Sequence, residues 1–125
     1  MERVTGIGGV FFKAKDPKAL AAWYEKHLGI PFGGQSYASF EWKNEQNPEG
    51  GGQTAFSFFK HDTDYFAPST SPFMINFRVK DLDALLAVLK EEGIPGEKAP
   101  SEDYGKFGWI IDPEGNKIEL WEPKD

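Results

Sequence analysis

The chain contains no cysteine. That one absence removes disulfides, thiolate metal centres and cysteine nucleophiles together. It suits a reducing compartment, so a cytoplasmic location is expected. Histidine is nearly as scarce, with His27 and His61 the only two in 125 residues. Basic runs are missing as well. Lys and Arg number 14 against 20 Asp and Glu, for a formal charge of −6. Electrostatic binding to a phosphate backbone needs clustered cations, so no nucleic-acid partner is expected. No stretch approaches the ~18 consecutive apolar residues of a membrane span. Met1-Glu2-Arg3-Val4 is not followed by an apolar signal region, and no membrane partner is expected.

Aromatic residues are plentiful. They make up 15% of the chain, with eleven Phe and four Trp. Large buried rings give a chain of this length an adequate core without staples, and the length suggests one domain.

The strongest internal signal is a repeat. Residues 10–31 read VFFKAKDPKALAAWYEKHLGIP and residues 75–95 read INFRVKDLDALLAVLKEEGIP. At an offset of 65, Phe12 meets Phe77, Lys15 meets Lys80 and Asp16 meets Asp81. Asn47-Pro48-Glu49-Gly50 precedes Asp112-Pro113-Glu114-Gly115 by the same 65 positions. An ordered series at one offset points to two repeats, at about 4–62 and 72–123, within residues 1–125.

Each repeat has the same local grammar. An alternating strand ends at an Asp able to cap a helix, and Pro17 suits the first helical position. The first helix is predicted to bury Leu20, Trp23, Tyr24, His27 and Leu28 and to stop at Gly29. The second has the stripe Leu82, Leu85, Leu86 and Leu89 and stops at Gly93. Further strands are predicted at 37–42, 54–60, 104–111 and 117–122. The segment 61–72 reads as the loop joining the repeats.

Strand alternation assigns faces. In the strand before the second helix, Ile75, Phe77 and Val79 face that helix, while Met74, Asn76 and Arg78 face away. The repeat carries this to the first strand, where Val10, Phe12 and Ala14 face the helix and Gly9, Phe11 and Lys13 face away. In the last strand Glu119 and Trp121 face away. Aromatics mixed with a few polar groups are what a small-molecule cavity needs. The plainer alternative is that Arg78 and Glu119 pair on a half-exposed sheet.

The duplicated strand–Asp–helix units, WYEKHLG at 23–29 and DPEGNKIELWEP at 112–123 resemble the vicinal oxygen chelate superfamily, which includes glyoxalase I, bleomycin resistance proteins and extradiol dioxygenases. The resemblance covers nearly the whole chain. It implies an α+β fold of two βαβββ modules that form a curved mixed sheet around a cavity, and a homodimer. Metal-dependent relatives supply His, Gln or Glu ligands from four strand positions. Here these fall on Gly9, Met74, a position near Ser57, and Glu119. One strong ligand of four does not make a stable transition-metal site, so no metal and no cofactor are expected.

Other motifs carry less. Gly6-Ile7-Gly8-Gly9 lacks dinucleotide-loop spacing, and Gly50-Gly51-Gly52 has no following Lys-Ser/Thr. Asp62 and Asp64 lack the rest of a calcium loop. Two functions remain open. The first is a metal-independent binder of a small organic ligand, with Phe11, Lys13, Ser57, Met74, Asn76, Arg78 and Trp121 lining the site and Arg78 pairing with an anionic or carbonyl group. The second is a glyoxalase-type lyase or isomerase in which Glu119 is the catalytic general base and Arg78 and Asn76 stabilise an enolate. A weaker third is a metal-dependent lyase or dioxygenase with atypical ligands.

Overall fold

Two aspartates at equivalent places in the repeat each start a helix. Asp16 accepts a hydrogen bond from the Ala19 N–H at 3.1 Å, and Asp81 accepts one from Ala84 at 3.1 Å. Each satisfies a backbone donor that has no partner inside its helix, a contribution of about 1 kcal/mol. Gly29 ends the first helix with φ +71°, and Gly93 follows the second with φ +87°. Both positions favour glycine because a Cβ is strained there.

The computed structural model describes residues 3–43 and 45–124. The elements are β1 (Gly6–Ala14), α1 (Pro17–Leu28), β2 (Tyr37–Glu41), β3 (Gln53–Lys60), β4 (Phe73–Arg78), α2 (Leu82–Glu91), β5 (Glu97–Lys98), β6 (Gly105–Ile111) and β7 (Lys117–Pro123). They form one seven-stranded mixed sheet in the order β2-β3-β1-β4-β7-β6-β5. β1 and β4 meet antiparallel at its centre, and β3 and β7 flank them in parallel. Each half is therefore a strand, a crossover helix and a hairpin. This is the α+β fold of curved mixed sheet and two helices that the sequence implied.

The first half departs from a full βαβββ unit. Among the described residues it has no counterpart of β5. Gly33 and Gly34 have φ of 59° and 83°. The Gly33 N–H donates to Glu25 at 2.8 Å, and Gln35 N–H to the Phe32 carbonyl at 3.1 Å. Turn chemistry takes up the backbone that a strand would have paired.

Two hydrophobic clusters lie between sheet and helices. Ala14, Ala21, Phe32, Ala38 and Phe58 form one, with Leu20, Tyr24 and Phe56 packed against it. Val79, Leu82, Leu85, Leu89 and Leu120 form the other. The stripe of α2 is the one its spacing predicts. That of α1 is shifted, because Ala21 is fully buried while Trp23 and Leu28 are 54% and 62% exposed. Phe32, Phe56 and Phe58 already fill the space under α1, so only a small side chain fits against them. The Trp23 ring lies on His27 instead, at 4.9 Å.

On the opposite sheet face, Met74, Asn76 and Arg78 are 0%, 2% and 6% exposed. The face turned away from the helices is thus the more deeply buried side of β4. Arg, Asn and Glu on such a face need partners, and those partners define the site.

Candidate ligand-binding site

β4 and β7 run parallel with Asn76 opposite Glu119 on the face away from the helices. Asn76 Nδ2 donates to Glu119 Oε1 at 2.8 Å. The other carboxylate oxygen, Oε2, accepts from the Tyr65 hydroxyl at 2.5 Å. Glu119 is 6% exposed. A carboxylate removed from water costs several kcal/mol unless donors replace its hydration, and here each oxygen has one. Burial, followed by the negative charge of Glu119 and the hydrogen bond to it, pushes the Tyr65 hydroxyl well above its ordinary value. Tyr65 therefore stays protonated at neutral pH and remains a donor.

Tyr65 lies in the loop between the halves. Its ring stacks on Phe59 at 5.4 Å and 11°. Its carbonyl accepts from Lys117 Nζ at 2.8 Å. That ammonium also lies 4.8 Å from the centre of the Trp109 ring and 5.4 Å from that of Tyr65. Burial holds the Lys117 pKa below the ordinary lysine value.

These groups open on a cavity of about 850 Å³. Phe11, Phe59, Tyr65, Phe107, Trp109 and Trp121 supply aromatic wall, and Ser57, Asn76, Glu102, Lys117 and Glu119 supply polar groups. Trp121 stacks on Phe107 at 5.9 Å with planes 5° apart, and its indole N–H donates to the Tyr104 carbonyl at 3.0 Å. A mainly aromatic concavity with a few fixed polar atoms has the make-up of a small-molecule site.

Of the residues the sequence singles out, Phe11, Ser57, Asn76, Glu119 and Trp121 come together on this lining. Lys13, Met74 and Arg78 are not part of it. The Lys13 ammonium sits 5.4 Å from the centre of the Phe66 ring. Met74, opposite Phe11 in the β1–β4 ladder, is completely covered. The Arg78 guanidinium lies between two indoles, 4.8 Å from Trp42 and 5.1 Å from Trp121. Alternation assigned these three to the right face but not to a position open to the cavity.

Several lining residues were missed. Phe107 and Trp109 stand opposite Trp121 and Glu119 in the β6–β7 ladder, so the hairpin register would have found them. Phe59 and Lys117 share the alternation of Ser57 and Glu119 along their own strands. No periodic signal marks Tyr65, which reaches the site from a loop.

The chain's residues do not fit the divalent metal of the metal-dependent relatives. Gly9 offers no side-chain donor and Met74 only a soft thioether at two of the four positions. Both oxygens of Glu119 are already hydrogen-bonded. Among the described residues, no three of His, Asp and Glu converge as a ligand set. His27 packs on Trp23 on the outside of α1, and His61 is exposed.

Residues 6–120 match the family model described as the Glyoxalase/Bleomycin resistance protein/Dioxygenase superfamily, and the chain belongs to that superfamily. Solved structures share the fold at low identity. A methylmalonyl-CoA epimerase from Mycobacterium tuberculosis is 21% identical, with 99% of this chain and 91% of that chain covered and a TM-score of 0.64. A Streptomyces coelicolor methylmalonyl-CoA epimerase variant in complex with 2-nitronate-propionyl-CoA is 15% identical, covers 98% and 99%, and gives a TM-score of 0.71. A protein described as NAD-dependent benzaldehyde dehydrogenase from Legionella pneumophila is 16% identical, covers 93% and 98%, and gives 0.58. No curated protein matches the chain by sequence.

Proposed function

We propose that this chain binds a small organic molecule in the aromatic cavity, without the metal of its metal-dependent relatives, and that it works as a cytoplasmic homodimer of single two-repeat domains. The observation that carries the proposal is the Glu119 carboxylate. It is nearly buried at an aromatic cavity and held on one oxygen by Tyr65 and on the other by Asn76. A buried carboxylate is costly for stability, so its position at a cavity wall favours a ligand role.

A second role for the same carboxylate is proton abstraction in a glyoxalase-like isomerisation or epimerisation. Glu119 would take a proton from a carbon next to a carbonyl, and Lys117 is the cation of the lining able to stabilise the resulting enolate. The likeness to epimerase structures favours this kind of chemistry. Exchange of a bound ligand's α-hydrogen for deuterium, lost in Glu119→Gln, would distinguish catalysis from binding alone.

One native mass spectrum of the purified chain tests the binding proposal as a whole. The expected species is a dimer with less than one equivalent of zinc or nickel per chain after incubation with the metal and dialysis, and with capacity for a small-molecule adduct. Stoichiometric, chelator-resistant metal that disappears in Glu119→Gln would overturn the metal-free part. A monomer at high micromolar concentration would overturn the dimer.

A further inference from the structure

Lys117 brings spare hydrogen-bond donors to the cavity. Its ammonium carries three N–H bonds, and one goes to the Tyr65 carbonyl at 2.8 Å. The others meet no oxygen among the described residues. The ammonium lies instead near ring faces, 4.8 Å from the centre of Trp109 and 5.4 Å from that of Tyr65. Lys117 is partly exposed on the cavity lining, so a molecule in the cavity can reach it. Burial lowers its pKa against the opposing pull of Glu119 and Asp64. That is the behaviour of an ammonium that has lost water without gaining a full set of acceptors.

The acceptors beside it are closed. Both Glu119 oxygens are already hydrogen-bonded, to Tyr65 and to Asn76. The Asn76 amide oxygen is buried beneath Gly8, out of reach from the cavity. Glu102 is exposed at the rim, where water screens it. A cationic ligand would therefore lose hydration, gain no buried acceptor and meet the like charge of Lys117.

An anionic ligand is opposed by charge. Among the described residues, Lys117 is the only Lys or Arg on the lining. Glu119 lies two residues along the same face of β7, about 7 Å away along the strand. Its charge is nearly buried, so salt and water screen it little. Asp64 adds a second carboxylate close enough to act on Lys117. The charge of Lys117 is thus already balanced while its N–H bonds are not all used. Donor capacity without surplus positive charge suits an uncharged acceptor.

We infer that the cavity selects an uncharged aromatic carbonyl compound, whose oxygen accepts from Lys117 Nζ while its ring lies against the aromatic walls. This rests on the cavity-binding proposal above and names its ligand class. A carbonyl oxygen takes a charge-assisted hydrogen bond without bringing a charge of its own toward Glu119. Phe11 and Phe107 are among the rings that would hold the aromatic body.

Three probes of one shape differ in the charge of the head group: phenylacetamide, phenylacetate and phenylacetamidine. A hydrocarbon of that shape, 2-methylallylbenzene, lacks the carbonyl. Each is titrated into the whole chain, and the indole N–H signals of Trp109 and Trp121 report cavity occupancy by NMR. Phenylacetamide should bind about 10-fold or more tightly than either ion. Lys117→Met, checked for folding by its thermal midpoint, should weaken phenylacetamide about 10-fold, the scale of a charge-assisted hydrogen bond. The same variant should leave the hydrocarbon within about 3-fold of its wild-type affinity or bind it more tightly. Wild-type protein gives a second reading if Lys117→Met does not fold: an intermolecular NOE from the Lys117 ε-methylene to the methylene of bound phenylacetamide. Tighter binding of either ion would overturn the choice of an uncharged group. Undiminished phenylacetamide binding in Lys117→Met would overturn the role of Lys117, as would a missing NOE with the probe bound. In those cases the probes still occupy the cavity, and the binding proposal survives. If no probe perturbs Trp109 or Trp121, cavity binding itself fails, and this inference fails with it.

Discussion

Phe66→Ala will lower the free energy of unfolding by about 3–5 kcal/mol, the usual cost of emptying a fully buried phenylalanine site. Phe66 has no exposed surface. Its ring meets Phe59 at 5.3 Å and Tyr65 at 6.5 Å, and it lies under the Lys13 ammonium. It is the apolar anchor of a loop also tied by Ala67 N–H to the Asp64 carbonyl, Ser69 N–H to that of Phe66 and Lys117 Nζ to that of Tyr65. Removing the anchor frees the neighbouring Tyr65, which must stay on the Phe59 ring to reach Glu119. The variant should therefore lose stability and cavity affinity together. Phe32→Ala is the control. Phe32 is also buried, in the cluster under α1 and on the other face of the sheet, so its loss should cost a similar amount and leave ligand affinity unchanged. Urea unfolding, followed by probe titration of the folded fraction, checks both outcomes. Equal affinity loss in the two variants would show that Phe66 acts only through global stability.

That coupling between a loop and a strand residue explains what the sequence could and could not reveal. The helix caps, the glycine stops and the strand faces are local properties, fixed by neighbours within a few residues. Asp16, Asp81 and Gly29 are therefore readable without a structure, and so is the face shared by Asn76, Glu119 and Trp121. Tyr65 is different. Its backbone follows no period, and its direction is set by packing on the Phe59 ring and by the hydrogen bond to Glu119, 54 residues further along the chain. The α1 stripe fails for a related reason. Helical spacing places Leu20, Trp23 and Tyr24 on one face, but the large rings of Phe32, Phe56 and Phe58 decide that Ala21 is the side chain that fits. Spacing sets which residues share a face, and the volume already occupied sets which of them is buried.

Arg78→Ala will cost about 3 kcal/mol of stability, although simple alternation assigns Arg78 to a ligand. The guanidinium is sandwiched at 4.8 Å and 5.1 Å between the Trp42 and Trp121 rings and is almost fully removed from water. Desolvated cation–π contacts contribute up to about 2 kcal/mol each, and the buried stem adds apolar packing. The clamp is built into the local sequence. Trp42 can lie over the sheet because Gly6 and Gly52 have no side chains, and a Cβ at those positions would come within 2.6 Å and 2.8 Å of the indole. Trp42 is itself tied down, since its indole N–H donates to Thr54, whose hydroxyl donates to the Ile7 carbonyl. Removing Arg78 leaves two facing indoles with a gap between them and loosens Trp121, which also lines the cavity. Arg78→Lys should fall between wild type and Arg78→Ala, because an ammonium keeps the charge but lacks the planar face that stacks on both rings. Chemical denaturation measures the stability change, and tryptophan fluorescence reports the loosened indoles. If Arg78→Ala were as stable as wild type and lost affinity for phenylacetate alone, Arg78 would be a ligand contact and the sandwich incidental. The geometry predicts the reverse, with lower stability, altered tryptophan emission and no selective loss for the anion.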